Sequence, residues 1–526
     1  MRNKKSLFTK TVALTIGLFL IGGYVSAQTP SYPPEIEAAL DSAKTNRPNL
    51  ERVLKHYAES KDTLMYKAAC FLIANMEGHC YATYALRDTL DNEIPFDIFN
   101  YSGYGPMIAD WEKLDSIHGP LDFGKKDLVN DLDVISDSFL IENIDYAFKA
   151  WREKPWAKSL SFENFCEYVL PYRGSNEPLE SWRKPLYEKY ADLESRMIDP
   201  TDPIEAASLI NKDVMSWFGF DSIYYFHPTD QGYAEMIRHG KGRCEDMTNM
   251  AIYAMRANGL AVTSDYTPFW ADAGNNHAWN AIVTAQGKVI PFMGAEAAPG
   301  EYKLFHKLAK AYRKTYSKQK DNLVFQPKKQ TKIPGWLAGK NYVDVTTAYG
   351  DVACPTVKIS ATVPDSIDIA YICVFNSGNW EAIHWGRIYD SRVTFTSMGM
   401  DIVYMPAFYI NEEIVACGAP FILDKADRII ELVADTTQKT LVRLVSTMPP
   451  KNQATGDSLK SYFISGKTYE LFYWLNGWKS LGKVVAGDKP LEFTDVPLNG
   501  LYWLVEDGSN KEERIFTIQD GKQVWW

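Results

Sequence analysis

The sequence predicts an α+β chain with a helical N-terminal region, an α+β core and two C-terminal antiparallel units of β-sandwich type. Three observations predict it. Apolar residues recur at helical spacing through most of residues 34–217. Between about 222 and 300 the period changes, and one helix is followed by runs rich in β-branched and aromatic residues. From Tyr342 onward, short runs of that kind recur about every ten residues with turn residues between them.

The elements follow in order. Arg2, Lys4, Lys5 and Lys10 surround the start of an apolar run, TVALTIGLFLIGG (11–23), and Val25-Ser26-Ala27 places small residues before Gln28. This is the pattern of a signal peptide cleaved near Ala27, and it predicts an exported protein, periplasmic or secreted. The run is short for a membrane span, and no later stretch is apolar enough to cross a bilayer. Residues 28–221 form the helical region, interrupted by a loop at VLPYRGSNEP (169–178), whose Pro, Gly and Asn residues oppose regular structure. Residues 222–317 form the core. The polar, lysine-rich stretch 318–341, broken by Pro and Gly, reads as a linker. Residues 342–440 read as a β-sandwich-like domain, with YVDVTTAY as its first strand, and 455–526 as a second β-rich domain.

Composition narrows the function. The chain has 526 residues, of which 46% are hydrophobic, enough for several cores, and a net charge of −10 leaves no basic footprint for nucleic acid. The 15 Trp and 31 Tyr fill cores or line carbohydrate and peptide clefts. Seven cysteines leave at least one thiol unpaired, and their spacing shows neither CxxC nor a metal-like cluster.

One of the seven has a distinctive setting. In HGKGRCEDMTNM (239–250), Cys244 follows a glycine-flanked turn and opens a helix whose apolar stripe is Met247, Met250, Ala251, Ala254 and Met255, with Gly259 as its closing glycine. The free N–H groups and dipole of a helix start favour a thiolate, so the placement predicts an unpaired, unusually acidic Cys244; Glu245 and Asp246 work against it. A nucleophilic cysteine also wants an imidazole, and His277 stands at the start of a strand in GNNHAWNAIV (274–283). If Gln286-Gly287 is a two-residue turn, Ala285 faces Lys288 and His277 faces Glu296; a one-residue bulge puts Ala295 there instead. Pro291 marks the second strand as an edge or a bulge. A carboxylate opposite His277 would fix its tautomer. Gln231, upstream of Cys244, is either an oxyanion donor or a turn glutamine.

GKGRCEDMTNMAIYAMRANGLAV, DYTPFW and NNHAWNAIV together resemble the core of the transglutaminase-like superfamily, over residues 222–303. FCEYVLPYRGSNEPLESWR (165–183) and the final GKQVWW extend the resemblance to multidomain exported members from Bacteroides-type bacteria. The resemblance implies a papain-type arrangement with Cys244 as nucleophile and His277 as base. The family's third member is an Asp, and KVIPFMGAE has none. Glu296 is the nearest carboxylate, with Asn276, Asn280 and Asp272 as substitutes.

The expected function is acyl transfer at an amide through a Cys244 thioester, hydrolysis rather than crosslinking, on a peptide, glycopeptide or cell-wall peptide. Such chemistry needs no cofactor and no metal. The alternative is a catalytically degenerate protein that binds a peptide or glycan. Mass spectrometry of the unreduced protein should find Cys244 free; a disulfide at Cys244 contradicts the nucleophile assignment.

Overall fold

The computed structural model describes residues 32–450 and 462–526; the predicted signal segment lies outside the described residues. The fold is α+β with a β-rich C-terminal region. Among the described residues no helix is long and apolar enough to cross a membrane.

The helix Cys244–Ala257 is the centre of the core. The apolar stripe predicted for it is buried, but so is every other residue from Asp246 to Ala257. It lies between the strands Val262–Thr267 and His277–Val283 on one side and the helices Arg183–Lys189 and Pro203–Met215 on others. Its end is a Schellman motif: Leu260 N–H donates to Met255 C=O and Gly259 N–H to Arg256 C=O, at 3.0 and 3.1 Å. Gly259 has φ +76°, and a Cβ there would meet the Ala150 carbonyl oxygen at 3.1 Å, so glycine is required both by the backbone and by the neighbour.

Five antiparallel strands back this helix, in the order Tyr342–Asp344, Tyr312–Lys314, Val262–Thr267, His277–Val283, Val289–Phe292. Pro291 sits on the outermost strand, where its missing N–H costs no ladder bond. Tyr342–Asp344 pairs with Tyr312–Lys314, so it belongs to this core sheet and not to the domain that follows. The predicted linker 318–341 is thus an excursion between two neighbouring strands. It is tethered: Lys318 N–H donates to Asn75 Oδ1 at 3.2 Å and Lys329 N–H to Asp368 Oδ1 at 2.8 Å.

The N-terminal region is helical at both ends but not throughout. Glu93–Ile94, Cys80–Arg87 and Asp122–Asn130 form a three-stranded sheet inside the span read as helical. Asp122–Asn130 (DFGKKDLVN) is mostly exposed on both faces, so it carries no alternation by which a strand is recognised.

Beyond a 3-10 turn at Thr346–Ala348, the described regular elements are all strands. Ile369–Asn376 is buried at every position. Ile369, Tyr371, Cys373 and Phe375 enter one core and Ala370, Ile372 and Val374 another, the period-two signature of a strand covered on both faces. The final unit pairs Asp435–Leu444 with Leu491–Leu498, so it begins before the predicted 455 boundary.

These C-terminal units are fastened to the core. Asn376 Nδ2 donates to the carbonyls of Trp270, Ala273 and Asn275, at 3.1, 2.9 and 3.0 Å. The buried Arg514 donates to Ala271 C=O (2.6 Å), Phe375 C=O (2.9 Å) and Trp526 C=O (2.8 Å). Both side chains satisfy backbone groups of the loop that leads into His277. Separability of residues 342–526, expected from the linker reading, conflicts with this bonding. Cleavage within 318–341 should therefore leave the two fragments co-eluting in gel filtration under native conditions; free C-terminal fragment would contradict the fastening. Arg514→Met strands several buried carbonyls and should destabilise the protein by about 3 kcal/mol, read as a lower urea midpoint.

Candidate functional site

Cys244 occupies the first position of its helix, as the sequence predicts. Asp246, two residues on, accepts from the backbone N–H of Arg243 at 2.9 Å and of Gln231 at 3.0 Å, and from Gln231 Nε2 at 3.0 Å. The approach is so close that a Cβ on Gly242 would meet Asp246 Cβ at 2.4 Å. Burial, with the Asp230 charge added, pushes the Asp246 carboxyl up to about 6. Gln231 Nε2 also donates to Lys241 C=O at 2.9 Å. Both its donor directions are used, so Gln231 is a structural glutamine that ties loop to helix.

The thiol is free, as are all seven cysteines. It is not acidic. Cys244 Sγ donates to Glu245 Oε2 at 3.0 Å, and burial together with that carboxylate raises the thiol far above its usual range. The sequence-level expectation of an acidic Cys244 is corrected here, because a helix start contributes at most about 2 kcal/mol and burial of a charge outweighs it. Arg243, which pairs with Asp230 at 2.6 Å, offsets the effect only in part.

His277 begins its strand on the sheet that backs the helix. Its Nε2 meets the hydroxyl of Tyr302 at 2.5 Å, and its ring lies 5.8 Å from that of Trp270 and 5.9 Å from that of Trp279. Burial lowers its pKa, partly countered by the Glu245 charge and reinforced by His306. The net direction favours the neutral imidazole. No hydrogen bond joins Cys244 to His277 among the described residues. Glu245 and Tyr302 link their surroundings: Glu245 bonds the thiol and acts on His277, while Tyr302, bonded to His277, is raised by burial, by Glu296 and by Cys244.

Glu296 is not opposite His277. Thr284 faces Lys288 across a three-residue turn with Gly287 at φ +78°, one residue longer than the two-residue turn assumed. The register that follows pairs Val283 with Val289 and ends at Asn280 with Phe292. Beyond it the chain turns at Ala295, φ +57°, and leaves Glu296 exposed, acting on the site only through its field on Tyr302. The substitutes do not take its place. Asn280 spans Thr248 C=O and Gly294 N–H at 3.1 and 3.0 Å, and Asp272 accepts from Lys307 N–H at 2.8 Å. Asn276 is exposed. The partner of the imidazole is Tyr302, in a loop with no motif to single it out.

Two cavities flank the helix start and share Asn176, Asp230 and Arg243. One, of about 470 Å³, reaches Glu245 and is walled by the 171–176 loop; the other, of about 490 Å³, reaches Tyr225, whose hydroxyl is pushed up to about 12 by burial and by Cys244 and Glu245.

Residues 192–292 match the family model of the transglutaminase-like superfamily. The chain carries a transglutaminase-like domain. The matched span holds Cys244, Glu245 and His277 and stops short of Glu296 and Tyr302. It begins before residue 222, and the helix Pro203–Met215 that packs on the Cys244 helix explains why: the transglutaminase-like domain needs it as core. No curated protein sequence matches the chain.

Glu245→Gln removes the charge that holds the thiol protonated. Alkylation of Cys244 by iodoacetamide should then be faster at pH 8 and its pH midpoint lower; an unchanged or slower rate would contradict the assignment.

Proposed function

We propose that the chain is a cysteine-dependent amide hydrolase, and that Cys244 and His277 carry the reaction as a dyad. The observation that carries this reading is the thiol at the first position of a helix within a transglutaminase-like domain, with the His277 imidazole on the adjoining sheet. His277 takes the thiol proton as Sγ attacks the amide carbonyl. The tetrahedral adduct collapses, the C–N bond breaks and the proton passes from His277 to the leaving amine. Water, deprotonated by His277, then attacks the thioester carbonyl, and thiol and carboxylic acid are regenerated. Attack by an amine in place of water would give crosslinking; water is always present, so hydrolysis is the preferred outcome. A protonated thiol and neutral imidazole are the correct starting states for such a transfer, and Tyr302 is a positioning residue for the ring. The flanking cavities give a peptide or glycopeptide two sides on which to lie, and an exported enzyme would meet cell-wall peptides.

One observation favours the second reading, a binding protein with a degenerate core: thiol and imidazole each have another partner, Glu245 and Tyr302. Incubation with a peptide mixture followed by mass spectrometry separates the two. Amide cleavage should be lost entirely in Cys244→Ala and fall by about 10²–10⁴ in His277→Ala. Tyr302→Phe should shift the pH profile with a smaller loss of rate. Absence of any cleavage by the wild-type chain, with binding retained in Cys244→Ala, would favour the degenerate core.

A further inference from the structure

Away from Cys244, a cleft of about 720 Å³ lies where the hairpin Ile369–Asn376/Asn379–Tyr389, the hairpin Thr468–Trp474/Trp478–Val485 and the turn at Pro334–Trp336 meet. Its walls carry six aromatic side chains, Phe269, Trp336, Trp380, Tyr409, Trp474 and Trp478. Trp336 is 43% exposed, although burying an indole would be favourable. Three carboxylates, Glu381, Glu412 and Glu413, share the cleft, and no Lys or Arg lines it among the described residues. Glu412 is engaged by Lys332 at 2.6 Å, whereas among the described residues the side chains of Glu381 and Glu413 have no hydrogen-bond or ion-pair partner. Burial raises the Glu381 carboxyl.

We propose that this cleft is a saccharide-binding site. Three ligand classes can be compared. An organic cation satisfies the rings, but burial beside them raises the Glu381 carboxyl and so weakens the charge that a cation needs. An apolar group satisfies the rings and leaves the carboxylates desolvated. A neutral pyranose has an apolar C–H face for an aromatic ring, and hydroxyls that pair with Glu381 and Glu413 whether these are charged or protonated. It meets both demands at once. Gly335 and Trp336 line both this cleft and the cavity that reaches Glu245, so the two are contiguous. The saccharide site itself does not depend on the Cys244 chemistry.

The test titrates the full mature chain with chitotriose, cellotriose and mannotriose, followed by tryptophan fluorescence and calorimetry. At least one triose should bind with Kd below about 1 mM, and Trp336→Ala and Glu381→Gln should each weaken it about tenfold. Cys244→Ala should bind as the parent does, so that failure of the hydrolase reading leaves this result intact. Both cleft variants alter partly exposed side chains, and circular dichroism verifies their fold. The proposal is overturned if no triose binds below about 1 mM, if binding survives both substitutions, or if trilysine occupies the cleft in a Glu381-dependent manner instead.

Discussion

Two buried guanidinium groups organise the part of this protein that holds Cys244 and His277. Arg183 donates to the carbonyls of Val169, Leu170, Pro171 and Arg256, and Arg256 donates to those of Tyr168, Pro171, Val262 and Arg173. Among the described residues no carboxylate pairs with either. Burial depresses both, Arg256 to about 10. The charges are tolerated because an irregular loop buried at residues 168–173 presents carbonyls that no sheet or helix can satisfy. With that loop fixed, Arg173 is set against the fully buried Asp131, the N-terminal helices are joined to the Cys244 helix, and Pro171 and Arg173 form part of the wall of the cavity that reaches Glu245.

The site built on that frame holds its reactive groups in their neutral forms. Position at a helix start favours a thiolate by roughly 0.3–1 kcal/mol, up to about 2 in partly buried settings, while burial beside a carboxylate acts on a larger scale, several pKa units in fully buried groups. The larger effect decides the resting state. Glu245 holds the thiol proton and Tyr302 holds the imidazole, so the hydrolase reading requires a substrate that displaces at least one of these contacts.

Much of this was legible in the sequence, for identifiable reasons. The Cys244 helix could be read because its Met and Ala stripe, the turn before it and Gly259 after it are all local signals. Gln231 and Pro291 could be bounded by the same kind of argument. The Glu296 pairing could not, because one extra residue in the 285–287 turn moves every facing residue by one, and Gln-Gly does not distinguish the two turn lengths. The 80–130 sheet was hidden by a strand without an apolar face. Tyr302 comes to His277 through a loop of irregular course, for which periodicity carries no information. The boundaries near 318 and 342 were misplaced because a polar, Pro-containing segment can cover a surface between two paired strands as readily as it can separate two domains.

The fastening of the 270–276 loop by Asn376 and Arg514 has a consequence for how portable the chemistry is. The family match ends at residue 292, yet the carbonyls that steer the chain into His277 are held by side chains about a hundred and about 240 positions downstream. The thiol travels with its helix, but the imidazole does not travel with its strand. Transplanted alone, residues 192–292 would carry the thiol together with an imidazole whose approach is unsteered. The unit that fixes both side chains in space extends well beyond the matched span.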